Sequence, residues 1–182
     1  MNSDLYAIFK KIIKKNKIEL ARMIVDCCAQ LRSYEKFYGF VAERICFLND
    51  DFIPLFAQIL CESYDAAHHL ETIKIRNISR FYAHLMSRKS VNWSQCLKCV
   101  HITEHDTTSS QRIMLKILFQ ELAANLSIEK LKKYLQGEAD ENDEEFEPLE
   151  DHVRRRIFPF DDPRDTRFSI NFFTAIDLGP LT

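Results

Sequence analysis

The chain has 182 residues, of which 46% are apolar and 29% charged, and its formal net charge is −2. That length and balance belong to a globular domain rather than a disordered chain, and a charge so near zero excludes a global field that would draw in nucleic acid. Three glycines (Gly39, Gly137, Gly179) and five prolines are too few punctuation marks for a many-turned β fold, while fourteen phenylalanines supply large, stiff core groups.

Ser3 is placed to cap a first helix running to about Lys15, and Ile18 to Gln30 reads as a second. Ser33 is expected to cap a third, in which Phe37, Phe40, Val41, Arg44 and Leu48 recur at helical spacing. All but Arg44 are apolar, so this stripe is expected to face the core. Asn49 to about His69 follows, with Pro54 tolerable because it falls near the first turn. Glu71 to Met86 puts Ile78, Phe81, Tyr82 and Leu85 on one stripe, and a short helix spans about Val91 to Val100. Thr108-Ser109-Ser110-Gln111 fits a capping box, opening a helix that carries Ile113, Met114, Ile117, Leu118 and Leu122.

From Gly137 to Asp151 the chain is dominated by Glu and Asp, then Arg154-Arg155-Arg156 reverses the sign. Such a like-charge block is expected to form a flexible, solvated loop over 137–151. Asp162-Pro163-Arg164-Asp165 sets a capping acid before a proline at the first helical position, with a further acid in the first turn. The helix it opens, about 163–178, shows Phe168, Phe172, Phe173 and Ile176 on one side and meets a stop signal at Gly179-Pro180. Helices of this length joined by short connections predict one all-α domain over 1–182, built as stacked antiparallel helix hairpins.

No run approaches the roughly 18 apolar residues of a membrane span, and the N-terminal text lacks the layout of a secretory signal. Six cysteines (Cys27, Cys28, Cys46, Cys61, Cys96, Cys99) lie in helical-looking apolar text, the usage of reduced core thiols. Cys96-x-x-Cys99-x-His101-x-x-x-His105 carries zinc-ligand residue types, but His101 follows too closely to wrap a metal without unwinding the helix that holds the cysteines. His68-His69 and His84 have no nucleophile in a recognisable pattern beside them, and Asp161-Asp162 is explained by helix capping. With no glycine-rich phosphate loop either, no catalytic centre, metal or cofactor is expected. Lys10, Lys11, Lys14 and Lys15 share one helix face, where an RNA phosphate or the acidic segment could be held, although no aromatic alternates with them to stack bases.

Two strips are the expected contact surface for a partner. Glu104 to Ser110, with Glu104, Asp106, Thr107 and Ser109, lies at a helix start where free amides can receive an acidic side chain or phosphate. Phe158 to Arg167 combines an aromatic anchor, Phe160, with Asp161, Arg164 and Arg167. The same residues also cap and orient their helices.

Several blocks resemble a known family. They are Asp26-Cys27-Cys28-Ala29-Gln30 with Tyr34-Glu35-Lys36-Phe37-Tyr38-Gly39, and Tyr64-Asp65 with Leu70-Glu71-Thr72 and Arg76-Asn77. Closer matches are 106–113 with 116–122, and above all Asp162-Pro163-Arg164-Asp165-Thr166-Arg167-Phe168-Ser169-Ile170-Asn171-Phe172-Phe173-Thr174. In this order they are similar to the MA-three domain of the nucampholin-type pre-mRNA splicing factors. The resemblance implies a HEAT-like helical scaffold in a nuclear protein of the spliceosome and nuclear speckle. In that family the MA-three domain contacts the GTPase and scaffold proteins of the U-five particle near the 5′ exon. A separate middle domain, of the initiation-factor-four-G type, holds the DEAD-box helicase of the exon junction complex. This chain resembles the MA-three part only, so helicase delivery would belong to a domain it lacks. Further helical sequence precedes Asp4 in the family, so a fragment of a longer protein is expected. The acidic run is longer than the family pattern, and Cys96 and Cys99 stand outside it. The alternative implied by related MA-three domains is a module that binds an initiation-type DEAD-box helicase directly and regulates translation.

Overall fold

Every regular element among the described residues, 16–137 and 149–182 of a computed structural model, is helical, as the residue pattern predicts. The expected helix from Ser3, the four lysines of that stretch (Lys10, Lys11, Lys14 and Lys15) and most of the acidic segment lie outside these residues. In chain order the α-helices are α1 (Lys17–Ala29), α2 (Lys36–Leu48), α3 (Phe52–Asp65), α4 (Thr72–Ser87), α5 (Trp93–Leu97), α6 (Ser109–Leu126), α7 (Ile128–Gln136), α8 (Asp151–Ile157) and α9 (Pro163–Ala175). Short 3-10 turns at Ala67–His69 and Gly179–Leu181 complete the set. Among the described residues no helix is long and apolar enough to cross a membrane.

Helix ends follow local chemistry. The capping box forms: the Gln111 amide donates to Thr108 Oγ1 at 3.3 Å, and the Thr108 amide donates to Gln111 Oε1 at 2.8 Å. At α9 the Arg164 amide donates to Asp162 Oδ1 at 2.7 Å, with Pro163 at the first helical position. Pro54 is the third residue of α3, where its missing N–H costs nothing. Several boundaries differ from the expectation. Ser33 does not cap α2; Glu35 holds that position without a side-chain bond. α9 stops at Ala175, short of 178, because Asp177 takes a left-handed φ of 64°, and Gly179-Pro180 opens a 3-10 turn instead. α7 and α8 were not anticipated at all. Ser127, at φ 78°, both ends α6 and caps α7, its Oγ accepting from the Lys130 amide at 3.3 Å.

α4 is the hub, packing against α1, α2 and most extensively α6. Its Ile78, Phe81, Tyr82 and Leu85 are buried as the stripe predicts. Its polar side chains tie neighbours together. Buried Asn77 sends Nδ2 toward three carbonyls at the end of α1: Leu31 at 2.7 Å, Cys28 at 3.3 Å and Ala29 at 3.4 Å. Ser79 Oγ reaches Met114 O of α6 at 3.1 Å, and the Tyr82 hydroxyl donates to Phe56 O of α3 at 2.9 Å. Burying such groups is tolerable because each donor finds a partner, although the Asn77 Oδ1 acceptor does not.

α2 is turned over relative to the expected core stripe. Phe37, Phe40 and Leu48 are 64%, 53% and 66% exposed, and Phe47 beside them is 76% exposed. Gly39, Ala42 and Cys46 face inward instead. The reason is the closeness of α4: a Cβ on Gly39 would sit 2.8 Å from His84 Cδ2 and 2.8 Å from the Tyr34 hydroxyl. The His84 ring cannot easily yield, since its Nε2 lies 3.1 Å from Glu43 Oε2 and Phe40 packs on its face at 4.9 Å. Gly39→Ala is therefore expected to cost about 1–3 kcal/mol by overpacking, despite the better helix propensity of alanine; urea titration measures it. On α6 the stripe is rotated less: Met114, Leu118 and Leu122 are buried, but Ile113 is exposed and Ile117 half-buried.

Candidate partner-binding surface

The two predicted strips are linked indirectly, through residues that flank them. The first runs from the end of α5 into α6. Here the Ile102 amide donates to Arg156 O of α8 at 2.9 Å, and Arg156 Nη1 donates to Lys98 O at 2.7 Å, so α8 braces this connection. The second strip follows α8 directly and enters α9. Arg112 joins them: its Nη1 donates to Thr107 O at 2.8 Å, while its guanidinium lies 5.9 Å from the Phe168 ring centre. Arg164 is one helical turn before Phe168 and Arg167 is three residues after Arg164, so residues of both strips share a neighbourhood.

Individual residues differ in what they leave free. Glu104, Asp106 and Ser109 are exposed. Asp106 Oδ2 accepts from Thr103 Oγ1 at 2.7 Å and meets His101 Nδ1 at 2.8 Å, which shapes the turn. Ser109 Oγ accepts from Arg112 Nη2 at 3.2 Å. Thr107 is different, because it is buried and its hydroxyl donates to Thr103 O at 2.6 Å. It closes the turn rather than offering a contact, a correction to the predicted strip. In the second strip Phe160 is 59% exposed, and Asp161, Arg164 and Arg167 are exposed with it. The Arg155 guanidinium stacks 5.1 Å from the Phe160 ring centre. Behind Phe160 lies a groove of about 500 Å³ lined by Phe158, Pro159, Ile170 and Leu181, with Arg154 and Arg155 on its rim.

The arginines that reverse the charge after the acidic segment are structural. Arg154 Nη1 donates to Gln136 O at 2.8 Å, closing the end of α7, and Arg155 Nε meets Asp151 Oδ2 at 2.9 Å within α8. The hydrogen bond from Arg154, aided by that from Arg155, holds Asp151 below the usual carboxylate range. The outward stripe of α2 borders a second groove of about 650 Å³, lined by Phe40, Glu43, Arg44, Phe47, Asp50 and Arg88. Sequence periodicity could not identify this face, because a stripe of apolar residues does not declare which way it points. The small residues at 39, 42 and 46 were the available signal.

The cysteine–histidine cluster is dispersed. Cys96 is buried in the core, His101 is held by Asp106, and among the described residues no three His, Cys, Asp or Glu side chains are grouped as a metal would need. Burial pushes the Cys28 and Cys46 thiols up to about 12, as core thiols without a cationic neighbour should be.

A family model for the MA3 domain matches residues 8–92. Over nearly the whole chain there is similarity to curated proteins named pre-mRNA-splicing factor CWC22 homolog. The protein of Drosophila melanogaster is 46% identical over 166 residues, covering 91% of this chain and 12% of that protein. Those of Danio rerio and Homo sapiens are 48% and 46% identical over 164 residues, each covering 90% of this chain and 16% and 17% of the relative. The chain thus spans less than a fifth of the length of these relatives.

Proposed function

We propose, from the MA3 match over residues 8–92 and the similarity to CWC22 splicing factors, that this chain is a non-catalytic scaffold acting in nuclear pre-mRNA splicing by binding spliceosomal proteins. In its finer form, the domain anchors the factor beside the GTPase and scaffold proteins of the U-five particle near the 5′ exon, and so supports exon junction complex assembly. The observation that supports the reading is a pair of exposed strips on a braced helical stack, linked through Arg112, which donates to Thr107 O and lies over Phe168. Glu104, Asp106 and Ser109 lie on one side, and Phe160, Asp161, Arg164 and Arg167 on the other. A half-exposed aromatic over an apolar groove, with arginines around it, has the make-up of an interface hot spot.

The double substitution Phe160→Ala with Arg164→Glu tests it. Neither side chain is buried, so the melting temperature should stay nearly unchanged. Capture of U-five proteins from nuclear extract should fall by about 30-fold or more, the factor that matches ~2 kcal/mol for one hot-spot residue. Unimpaired capture would sink the assignment of this surface. Tight binding of the chain to an initiation-type DEAD-box helicase, without U-five proteins, would favour a translational regulator instead.

A further inference from the structure

Two half-buried thiols meet where α3 packs against α5. Cys61 lies in the second half of α3, and Cys99 in the turn that follows α5. Cys61 Sγ is 3.8 Å from Gln95 O and 3.8 Å from Cys96 O, while Cys99 Sγ is 3.6 Å from that same Cys96 oxygen. Both sulfurs therefore converge on one carbonyl oxygen, which brings the two thiols together. The remaining four cysteines lack this arrangement: Cys28, Cys46 and Cys96 are core thiols, and Cys27 is on the surface of α1.

We propose that Cys61 and Cys99 are a redox pair, in which Cys61 is oxidised by a hydroperoxide and Cys99 resolves it to a disulfide joining α3 to the α5–α6 connection. The electrostatics suit these roles. The neighbouring Cys99 thiol draws Cys61 below the ordinary thiol range, against the effect of burial, with Lys98 helping and Asp65 opposing. Cys61 and burial together raise Cys99, so the two thiols are unequal. An attacking thiolate that is partly accessible and sits beside a resolving thiol is the arrangement of redox-sensing cysteines. Chemically, the Cys61 thiolate attacks one peroxide oxygen. An S–O bond forms, the O–O bond breaks, and the departing hydroxide takes a proton to leave as water. The Cys99 sulfur then attacks the Cys61 sulfenic sulfur, an S–S bond forms, and the displaced hydroxide leaves as a second water with the Cys99 proton. Two thiols lose two electrons and two protons, and one peroxide is reduced.

The test treats the reduced, folded full chain with hydrogen peroxide at equimolar level and maps its peptides without reductant. The expected product is a Cys61–Cys99 linked peptide pair, lighter by two hydrogens and reversed by a thiol, with Cys28, Cys46 and Cys96 unchanged. In Cys99→Ser, Cys61 should stop at the sulfenic acid, trapped by a carbon nucleophile such as dimedone. Oxidation of Cys27 ahead of Cys61, or a sulfenic acid on Cys61 that persists in the unmutated chain without linking to Cys99, overturns the proposal. Because the unmutated chain supplies the decisive map, a poorly folding variant does not spoil the result.

Discussion

Phe173→Ala is expected to lower the unfolding free energy by about 3–5 kcal/mol, the cost of emptying a large aromatic site in a core that only partly collapses. Phe173 is fully buried and its ring sits among three others: Phe158 at 5.1 Å, Phe119 of α6 at 5.3 Å and Phe172 at 5.3 Å. Phe158 begins the second strip of the proposed surface, and α9 carries Arg164 and Arg167. The ring of Phe173 is thus the peg that fixes that strip on α6. Its loss should weaken partner capture as well as stability, whereas Phe160→Ala with Arg164→Glu should affect capture alone. Urea titration beside pull-down separates the two outcomes. A Phe173→Ala protein with the melting temperature of the parent would show that α9 is not seated through this ring.

Asn77→Ala should cost about 2–3 kcal/mol, because it removes the buried donor that the carbonyls at the end of α1 share. One amide nitrogen serves Leu31, Cys28 and Ala29 at the point where α1 ends. The α1 end has Gln30 at its C-cap and no glycine to close it in a left-handed turn, so the cap comes from another helix. Asn77→Asp should be worse than Asn77→Ala. It would bury a carboxylate against three carbonyl oxygens, with repulsion added to desolvation. The measurements are urea titration and amide exchange, with the last turn of α1 and the following Gln30–Arg32 losing protection first. Equal stability of the Asp and Ala proteins would contradict the donor role.

What could be read from the residues depended on whether a signal was local or relational. The starts of α6 and α9 were legible because a capping box and an Asp-Pro pair act through atoms within four residues of one another. The buried stripe of α4 was legible because a hub helix is large and apolar on the side that meets its neighbours. α7 escaped because Ser127 ends one helix and begins the next, leaving no loop composition to mark a break. α8 escaped because its arginines read as a charge reversal, while their bonds to Gln136 and Lys98 carbonyls exist only in the folded chain. α2 was inverted because periodicity gives the angle between residues but no reference direction. Of the surface residues, Thr107 was misplaced for a related reason: its hydroxyl is satisfied by a carbonyl four residues back, a bond that depends on the turn it helps to close.

The inward row of Gly39, Ala42 and Cys46 has a consequence for how α2 can vary. In an ordinary amphipathic helix the bulky residues are the ones that resist replacement. Here the ranking should be reversed, with the smallest side chains intolerant of any added atom and the phenylalanines exchangeable for polar residues as far as folding is concerned. A substitution profile scored on folding alone would leave Phe37 and Phe47 nearly blank, so any selection that keeps them aromatic acts on something other than the fold.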